Sequence, residues 1–349
     1  MMKTTFLDDV AEQPRVLRNL VRSYESDLQS RLREAVELIK SRPLTLAVGM
    51  GSSAFASELL ALRLNQTGLK VLVCDASELY HYGQGIMGRN AIMLAVSQSG
   101  ESAEPCLAAA ARPESMPLIS ITNDPESRLG RKSDIILPLL AGYEGGTTSK
   151  TFVATMAVLH LLADAVLGEA VLSLDKALEL AEHMQEMIAG LGSEVERLLG
   201  QFGDFSSIVF TSRGPGLATA RQGALITQEM TQIPAVGISA GQFRHGPIEA
   251  AGPHLLMVVF APMGRTTRLL IKLAQDTADY GSPTWLVTDT SVQVAARENL
   301  FVSRLPHVPE SLFPLLSIIV PELLGTAIAR RKGFEPGKLR RISKVTDFE

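Results

Sequence analysis

The chain has 349 residues, of which 46% are hydrophobic, and this is enough for two domains that each bury a core. Its net charge of -4 and the absence of a basic stripe argue against a nucleic-acid-binding protein, whereas a phosphorylated small molecule remains compatible. The two cysteines, Cys74 and Cys106, have no metal-ligand spacing, so we expect no disulfide scaffold, no metal and a reducing, cytoplasmic setting.

No segment reads as a signal peptide or a membrane span. The opening MMKTTFLDDVAEQP carries acids where a signal peptide needs an apolar core. The run FPLLSIIVPELLGTAIA comes closest to a membrane span, but Pro321 and Glu322 favour a buried helix. We therefore expect no membrane partner.

The chain opens with a periodic segment at 16–40, charged on one face, that predicts an N-terminal helix. An alternation of short β-branched segments and helical patterns follows, typical of a parallel sheet flanked by helices. It occurs twice, with predicted strands at 44–48, 70–75, 91–96 and 117–122, and again at 207–211, 235–239, 255–260 and 283–289. The nearly constant offset of 163 to 166 residues predicts two copies of one α/β domain, each a three-layer α/β/α unit.

The other segments connect these copies. Residues 171–202 predict a helical linker and 309–332 the last long helix, and the tail GFEPGKLRRISKVTDFE shows no strong periodicity. The predicted organisation is a helical segment at 1–40, a first domain at 41–170, a linker at 171–203, a second domain at 204–332 and a tail at 333–349.

The stretch VSQSGES, residues 96–102, follows a predicted strand directly and precedes a predicted helix. At that place the N-H groups and dipole of a helix N-terminus bind anions, Gly100 allows close approach, and Ser97, Ser99 and Ser102 add hydroxyl donors. The segment GMGSS, 49–53, offers a second wall. The plain alternative is a serine-rich turn in which Ser102 caps the helix. The equivalent loop of the second copy, APMGRT, keeps the glycine and loses the hydroxyls, so the first copy is the one specialised for phosphate.

The second copy carries candidate acid-base groups. Glu229 lies on a helix predicted to begin near Gly216, and it either projects toward the carboxyl end of the sheet or faces solvent. His245 lies in the turn FRHGP, and imidazole suits proton exchange near neutral pH, although most lone histidines are packing or surface residues. The offset between the two copies pairs His245 with His81. This pairing is explained either by a shared function or by inheritance from one ancestral domain.

Together these motifs resemble the sugar isomerase (SIS) family, and specifically the isomerase half of the glutamine-fructose-6-phosphate transaminases. The resemblance covers nearly the whole chain, through VAEQPRVLRNL, GSS, SQSGES, GGTTSKTF, SRG, QGAL with QE, FRHGP and KVTDFE. SQSGES and RHGP are specific in combination, whereas either alone is weak.

The resemblance implies a role for individual residues and for a partner copy. The positions that match the phosphate-holding residues are Ser53, Ser97, Gln98, Ser99 and Ser102, with Gly51, Ser52, Thr148 and Arg244 as weaker substrate-binding candidates. Glu229 matches the acid that moves a proton between sugar C1 and C2, His245 the ring-opening histidine, and Lys344 the lysine that contacts the open-chain ketose or forms a Schiff base with it. Because the family's histidine comes from the neighbouring subunit, the resemblance implies a homodimer with shared sites. We expect no cofactor.

The sequence also departs from the family. No glutamine-hydrolysing half is recognisable, Ile226 stands where the family has a lysine, Gln222 and Gln242 replace acids, and Arg244 replaces a lysine. We expect an enzyme that isomerises a hexose 6-phosphate or an amine-bearing sugar 6-phosphate, with deamination or deglycation as possible coupled steps, and that does not use glutamine by itself. The alternative is a non-catalytic sugar-phosphate-binding regulatory protein, which would keep residues 97–102 and have no need of Glu229, His245 and Lys344.

Overall fold

The computed structural model describes residues 5–346, which divide into two compact units. The first unit consists of Glu12–Ala181 and residues 341–346, and the second of Thr5–Ala11 and Glu182–Arg340. Helices α1 (Phe6–Glu25) and α7 (Leu174–Phe202) contribute residues to both units. The tail is thus divided at Arg340, whereas the boundaries expected from the sequence stay a prediction.

The first unit contains one parallel sheet of five strands in the order β2-β1-β3-β4-β5. Its strands are β1 (Leu44–Gly49), β2 (Lys70–Asp75), β3 (Ala91–Val96), β4 (Leu118–Thr122) and β5 (Ile135–Pro138). Its further helices are α2 (Gln29–Lys40), α3 (Ser52–Leu64), α4 (Ala76–His81), α5 (Ala103–Ala111) and α6 (Lys150–Leu167).

The second unit repeats this topology, with the order β10-β9-β8-β6-β7. Its strands are β6 (Ser207–Ser212), β7 (Ala235–Ser239), β8 (Leu255–Ala261), β9 (Thr284–Asp289) and β10 (Leu300–Leu305). Its further helices are α8 (Gly216–Thr231), α9 (Ala240–Arg244), α10 (Thr267–Asp279), α11 (Phe313–Ser317) and α12 (Ile319–Arg331). Because β6, β7, β8, β9 and β10 occupy the places of β1, β2, β3, β4 and β5, the repeat predicted from the sequence is confirmed.

Each sheet is covered on both faces. In the first unit, Leu46 and Met93 pack with α4 and α5 in one buried cluster, while α3 contacts β1 and β2 on the other side and packs against α6. In the second unit, Met257 and Leu286 pack with α9 and α10, while α8 covers the other face and contacts α12. Alternate residues of each strand point to opposite faces, so both faces of these near-continuous apolar strands are buried. The three-layer α/β architecture is confirmed.

Two of the predicted elements differ from the structure, and two strands were not predicted. The predicted helix at 16–40 is two helices, α1 and α2, separated by a turn at 26–28, and α1 starts earlier, at Phe6, so that Pro14 lies inside it. The last helical region is a short 3₁₀ turn followed by α11 and α12. Strands β5 and β10, at the edge of each sheet, were not predicted.

Among residues 5–346, two helical segments are long and apolar enough to cross a membrane by length and composition, at 150–167 and 310–331. Of the most apolar 18-residue stretch in each segment, 89% and 100%, respectively, is buried inside the protein. Both therefore have the burial of core helices, as expected for the segment that contains Pro321 and Glu322.

Candidate active site

A cavity of about 130 Å³ lies in the first unit, where β1 and β3 end. Most of its polar wall consists of hydroxyl and amide side chains that we named above as candidate substrate-binding residues. Its lining residues are Met50, Ser52, Ser53, Val96, Ser97, Gln98, Ser99, Ser102, Pro105, Thr148, Thr151, Phe152, Thr155 and Lys344. Since the carboxyl end of a parallel sheet is where α/β proteins bind ligands, the topology and the lining both point to this cavity as a binding site.

The loop at 97–102 presents its hydroxyls in a fixed arrangement. The hydroxyl of Ser97, which is 3% exposed, accepts a hydrogen bond from the Gly100 N-H at 3.2 Å and lies 3.5 Å from the Ser102 hydroxyl. Ser99 accepts one from the Glu101 N-H at 3.1 Å. Ser102 occupies the N-cap position of α5, as the plain capping alternative expects, but its hydroxyl makes no capping hydrogen bond to the helix. Its hydroxyl instead lines the cavity.

Gly100 is required by the shape of this loop. Its φ of 65° is left-handed, and a Cβ there would lie 2.0 Å from the Ser127 hydroxyl. The neighbouring Glu101 accepts hydrogen bonds from the Arg128 N-H at 2.7 Å and from Arg128 Nε at 2.9 Å, and Arg128 also donates to the Glu101 carbonyl. Packing and an ion pair therefore hold the loop against the turn that follows β4.

The second wall follows β1. Gly51, with a φ of 47°, is the residue before α3, and Ser52 and Ser53 form the first turn of that helix. Ser52 and Ser53 line the cavity together with the loop at 97–102. The structure thus brings together the candidate residues Ser52, Ser53, Ser97, Gln98, Ser99, Ser102, Thr148 and Lys344.

The tail supplies the one cationic side chain in the cavity lining. Lys344 Nζ lies 2.7 Å from Glu144 Oε2 and 3.2 Å from the Thr148 hydroxyl. Two residues further on, the Thr346 carbonyl accepts a hydrogen bond from the Ala103 N-H, the first of α5, at 3.0 Å. The tail therefore occupies one of the helix N-H groups that we expected to bind the phosphate. It also places the ammonium group of Lys344 beside the hydroxyls.

Glu144 was not predicted from the sequence, although it is buried and central to this site. Its Oε1 accepts hydrogen bonds from the N-H groups of Ser149 and Thr151, both at 3.0 Å, and its Oε2 accepts one from the Thr151 hydroxyl at 2.6 Å. Burial raises the pKa of Glu144, but the charge of Lys344 and these hydrogen bonds outweigh it and hold the pKa below its ordinary value. The site therefore contains a buried carboxylate that stays ionised.

Glu229 lies in the last turn of α8, just before β7 begins. Because α8 starts after the carboxyl end of β6 and runs back along the sheet, Glu229 is at the amino end of the second sheet. Glu229 is half-buried there, and the proton-transfer role expected for it stays a prediction. Ile226, on the same helix, is fully buried in an apolar cluster with Phe6 and Met230. A lysine at that position would have no place in this packing.

His245 and Arg244 end the short helix α9. His245 is exposed, its N-H donates to the Gln242 carbonyl at 3.0 Å, and Gly246 follows with a φ of 122°. Arg244 donates to Asp276 at 2.9 Å, and Asp276 also pairs with Lys272. Burial raises the pKa of Asp276, but its bonds to Lys272 and Arg244 outweigh this effect and hold the pKa below its ordinary value. Arg244 is thus held by α10, and the substrate-binding role expected for it stays a prediction.

Among residues 5–346, no group of three or more His, Cys, Asp or Glu side chains has a metal-binding arrangement. In the first unit the cavity presents hydroxyls and the Lys344 amine, with the Glu144 carboxylate beside that amine. Hydroxyls together with one ammonium group can hold a phosphate, and an amine beside a carboxylate can donate a proton or react with a carbonyl.

The SIS domain family model matches residues 37–165 and 204–327. Two curated relatives are glutamine–fructose-6-phosphate aminotransferases [isomerizing]. The protein from Pyrococcus horikoshii is 26% identical over 349 residues, with 98% of this chain and 57% of the relative covered. The protein from Thermotoga maritima is 30% identical over 360 residues, with 98% and 58% covered. The chain thus spans a little over half the length of these relatives.

Three solved structures share the fold. The C-terminal domain of glucosamine-fructose-6-phosphate aminotransferase from Francisella tularensis has a TM-score of 0.83 at 22% identity, with 96% of this chain and 98% of that chain covered. Tagatose-6-phosphate ketose/aldose isomerase from Escherichia coli has 0.81 at 19%, with 97% and 96% covered. Glucosamine-6-phosphate deaminase from Thermotoga maritima has 0.77 at 19%, with 98% and 99% covered. With the family model matched in both halves, the repeated sheet topology and the hydroxyl-lined cavity, the chain belongs to the SIS domain family.

Proposed function

We propose that this protein is a phosphosugar isomerase that acts on a hexose 6-phosphate or on an amine-bearing sugar 6-phosphate. The observation that carries the proposal is the cavity of the first unit, where the hydroxyls of Ser53, Ser97, Ser99 and Ser102 surround a space beside Lys344. Such a cradle suits a phosphate because hydroxyls donate to its oxygens and one ammonium group balances part of its charge.

The catalytic step in this proposal is a proton transfer between adjacent carbons of the open-chain sugar. Glu229 removes the proton from one carbon and returns it to the other, which converts a ketose into an aldose. The amine of Lys344 either hydrogen-bonds the sugar carbonyl oxygen or condenses with that carbonyl to an imine, which releases one water that is added back when the imine is hydrolysed. Either contact makes the neighbouring C-H more acidic. His245 opens the sugar ring by proton exchange.

We further propose a homodimer in which His245 serves the site of the neighbouring copy. His245 is exposed at the end of α9 and is followed by Gly246, whose φ is positive. Its side chain therefore lies on an exposed turn that is accessible to another chain. The sugar-phosphate chemistry named for the structural relatives supports the substrate class, since they include an isomerase and a deaminase. Deamination and deglycation both begin with the same proton transfer, so an amine released during the reaction fits this site.

A panel of substrates tests the proposal. Purified protein is incubated with fructose 6-phosphate, glucosamine 6-phosphate and fructosamine-type 6-phosphates, and both the aldose product and free amine are measured. We expect turnover of at least one compound, and its loss in Glu229→Gln. Saturable binding of several phosphates with no turnover, unchanged by Glu229→Gln, would instead identify a sugar-phosphate-binding regulatory protein.

A further inference from the structure

Glu144 is held by parts of the first unit that do not depend on the tail. Three of its four hydrogen-bond donors, the two N-H groups and the hydroxyl, belong to Ser149 and Thr151 at the start of α6. A carboxylate at a helix N-terminus is stabilised by these N-H groups and by the helix dipole. The carboxylate therefore has a fixed position, and the fourth donor, Lys344, is the one that comes from a distant part of the chain.

Lys344 has little else to fix its amine. It lies on a tail segment that forms no helix or strand between residues 333 and 346, and a lysine side chain has four rotatable carbon-carbon bonds. Its polar contacts in the structure are Glu144 at 2.7 Å and Thr148 at 3.2 Å, and its side chain is 21% exposed. The amine is thus held on one side and borders the cavity on the other.

We propose that Glu144 is a positioning residue, whose carboxylate holds the amine of Lys344 at the wall of the phosphate cavity. It acts on the substrate through that amine and makes no contact with the sugar. This role rests on the function proposed above and extends it to a residue whose own side chain is fully buried.

The N-terminal helix braces this arrangement. Gln13 Nε2 donates to the Ser149 hydroxyl at 2.9 Å, and Lys150 Nζ pairs with Glu12 Oε2 at 2.7 Å. Glu12 and Gln13 of α1 therefore contact the start of α6, where Ser149 and Thr151 hold Glu144. Lys150 pairs with Glu12, and Lys344 pairs with Glu144.

The first test reads the amine directly and needs no turnover. The chain is acetylated with a limiting amine-reactive ester, and labelling of Lys344 is compared with labelling of the exposed Lys70 by peptide mass. We expect Glu144→Gln to raise the Lys344 to Lys70 ratio by about tenfold or more, because a charge-assisted hydrogen bond no longer holds the amine. The control Glu126→Gln, an exposed carboxylate in the same unit, leaves the ratio unchanged. An unchanged ratio in Glu144→Gln overturns the proposal.

The second test is a double-mutant cycle of Glu144→Gln and Lys344→Met. We expect Glu144→Gln alone to lower kcat by about tenfold or more with KM within about threefold, and to change kcat by less than about twofold once Lys344 is replaced. Additive losses, or a rise in KM without a change in kcat, would overturn the positioning role. If Glu144→Gln does not fold, Glu144→Asp keeps the charge on a shorter side chain and serves in both tests.

These tests separate the two proposals. If the wild-type chain turns over no sugar phosphate, the proposed function fails, whereas the labelling ratio still decides whether Glu144 holds Lys344.

Discussion

At the scale of single residues, the hydroxyl of Ser97 has two functions in this account. It accepts the Gly100 N-H, which fixes the loop, and it lines the cavity. Removing it takes away one of the two acceptors of the Gly100 N-H, which also donates to the Ser97 carbonyl at 3.1 Å, and removes one donor to the charged phosphate, at a cost of about 1–3 kcal/mol.

We therefore expect Ser97→Ala to raise KM for the sugar phosphate by roughly tenfold to hundredfold, with a smaller change in kcat. Steady-state kinetics would measure this, with Ser120→Ala as a matched control. Ser120 is a buried serine of β4 whose hydroxyl has no partner among the described residues. Equal effects of the two substitutions would show that the Ser97 hydroxyl is not specific to the site.

A second residue-scale prediction concerns pH. The pKa of Glu144 lies below its ordinary value in the folded protein, since Lys344 and the hydrogen bonds outweigh the effect of burial. A depressed folded pKa contributes stability above the unfolded pKa, and this contribution is lost as pH falls through the folded value. We expect the free energy of unfolding of the wild type to fall more steeply below about pH 4.5 than that of Glu144→Gln.

Urea unfolding at pH 7 and at several values down to about pH 3 would measure this difference. The other carboxylates with lowered pKa, such as Asp276 and Asp289, are common to both proteins and cancel in the comparison. Parallel curves for the two proteins would contradict a paired, ionised Glu144.

At the scale of elements, the loop between β3 and α5 depends on one glycine. A Cβ at Gly100 would meet the hydroxyl of Ser127 at 2.0 Å, the Ser127 Cβ at 2.6 Å and the Thr122 hydroxyl at 2.9 Å, and its φ of 65° disfavours any side chain. The loop backbone would have to move, and the hydroxyls would move with it.

We expect Gly100→Ala to weaken binding of fructose 6-phosphate by about a hundredfold or more, because left-handed strain and steric overlap act together. Gly85→Ala is the matched control, since nothing lies within 4 Å of a Cβ there. Calorimetric titration would measure both affinities, and an unchanged affinity in Gly100→Ala would refute the rigid-loop interpretation.

Most of the strands could be predicted from the sequence alone. The eight predicted strands were found because each is a clear apolar run between helical patterns. The edge strand β5 has four residues, two of them only partly buried, and β10 mixes Ser303 and Arg304 into its run, so neither has a strong apolar signal. Edge positions tolerate polar residues because one side of the strand is unpaired.

The site was predictable to the same degree. The phosphate loop is local, so its hydroxyls, glycine and flanking strand are adjacent in the sequence. Glu144 could not be found in this way, because its charged partner, Lys344, lies 200 residues further along the chain. Nor could sequence proximity show that the last turn of α8 places Glu229 at the amino end of its sheet.

At the scale of the whole molecule, the proposed homodimer makes a prediction about mixed proteins. If His245 serves the neighbouring copy, then His245→Ala and Lys344→Met damage different parts of a shared site. A heterodimer of the two variants contains one intact site, so random mixing is expected to restore about a quarter of wild-type activity.

Mixing the two inactive variants after partial unfolding and refolding would test this, with each variant refolded alone as the control. Activity that stays at the level of the separate variants would show that each site is built within one chain.

The proposed enzyme binds a sugar through its phosphate group and moves a proton between adjacent carbons. The most direct measurement is the exchange of that proton with solvent, followed by NMR in D₂O with fructose 6-phosphate and the amine-bearing sugar phosphates. We predict that the wild type incorporates deuterium at C1 or C2 of at least one of them and that Glu229→Gln does not, because the acid that removes the proton exchanges it with water. Saturable binding without deuterium incorporation in any of these sugars would contradict the claim and leave a phosphate-binding protein.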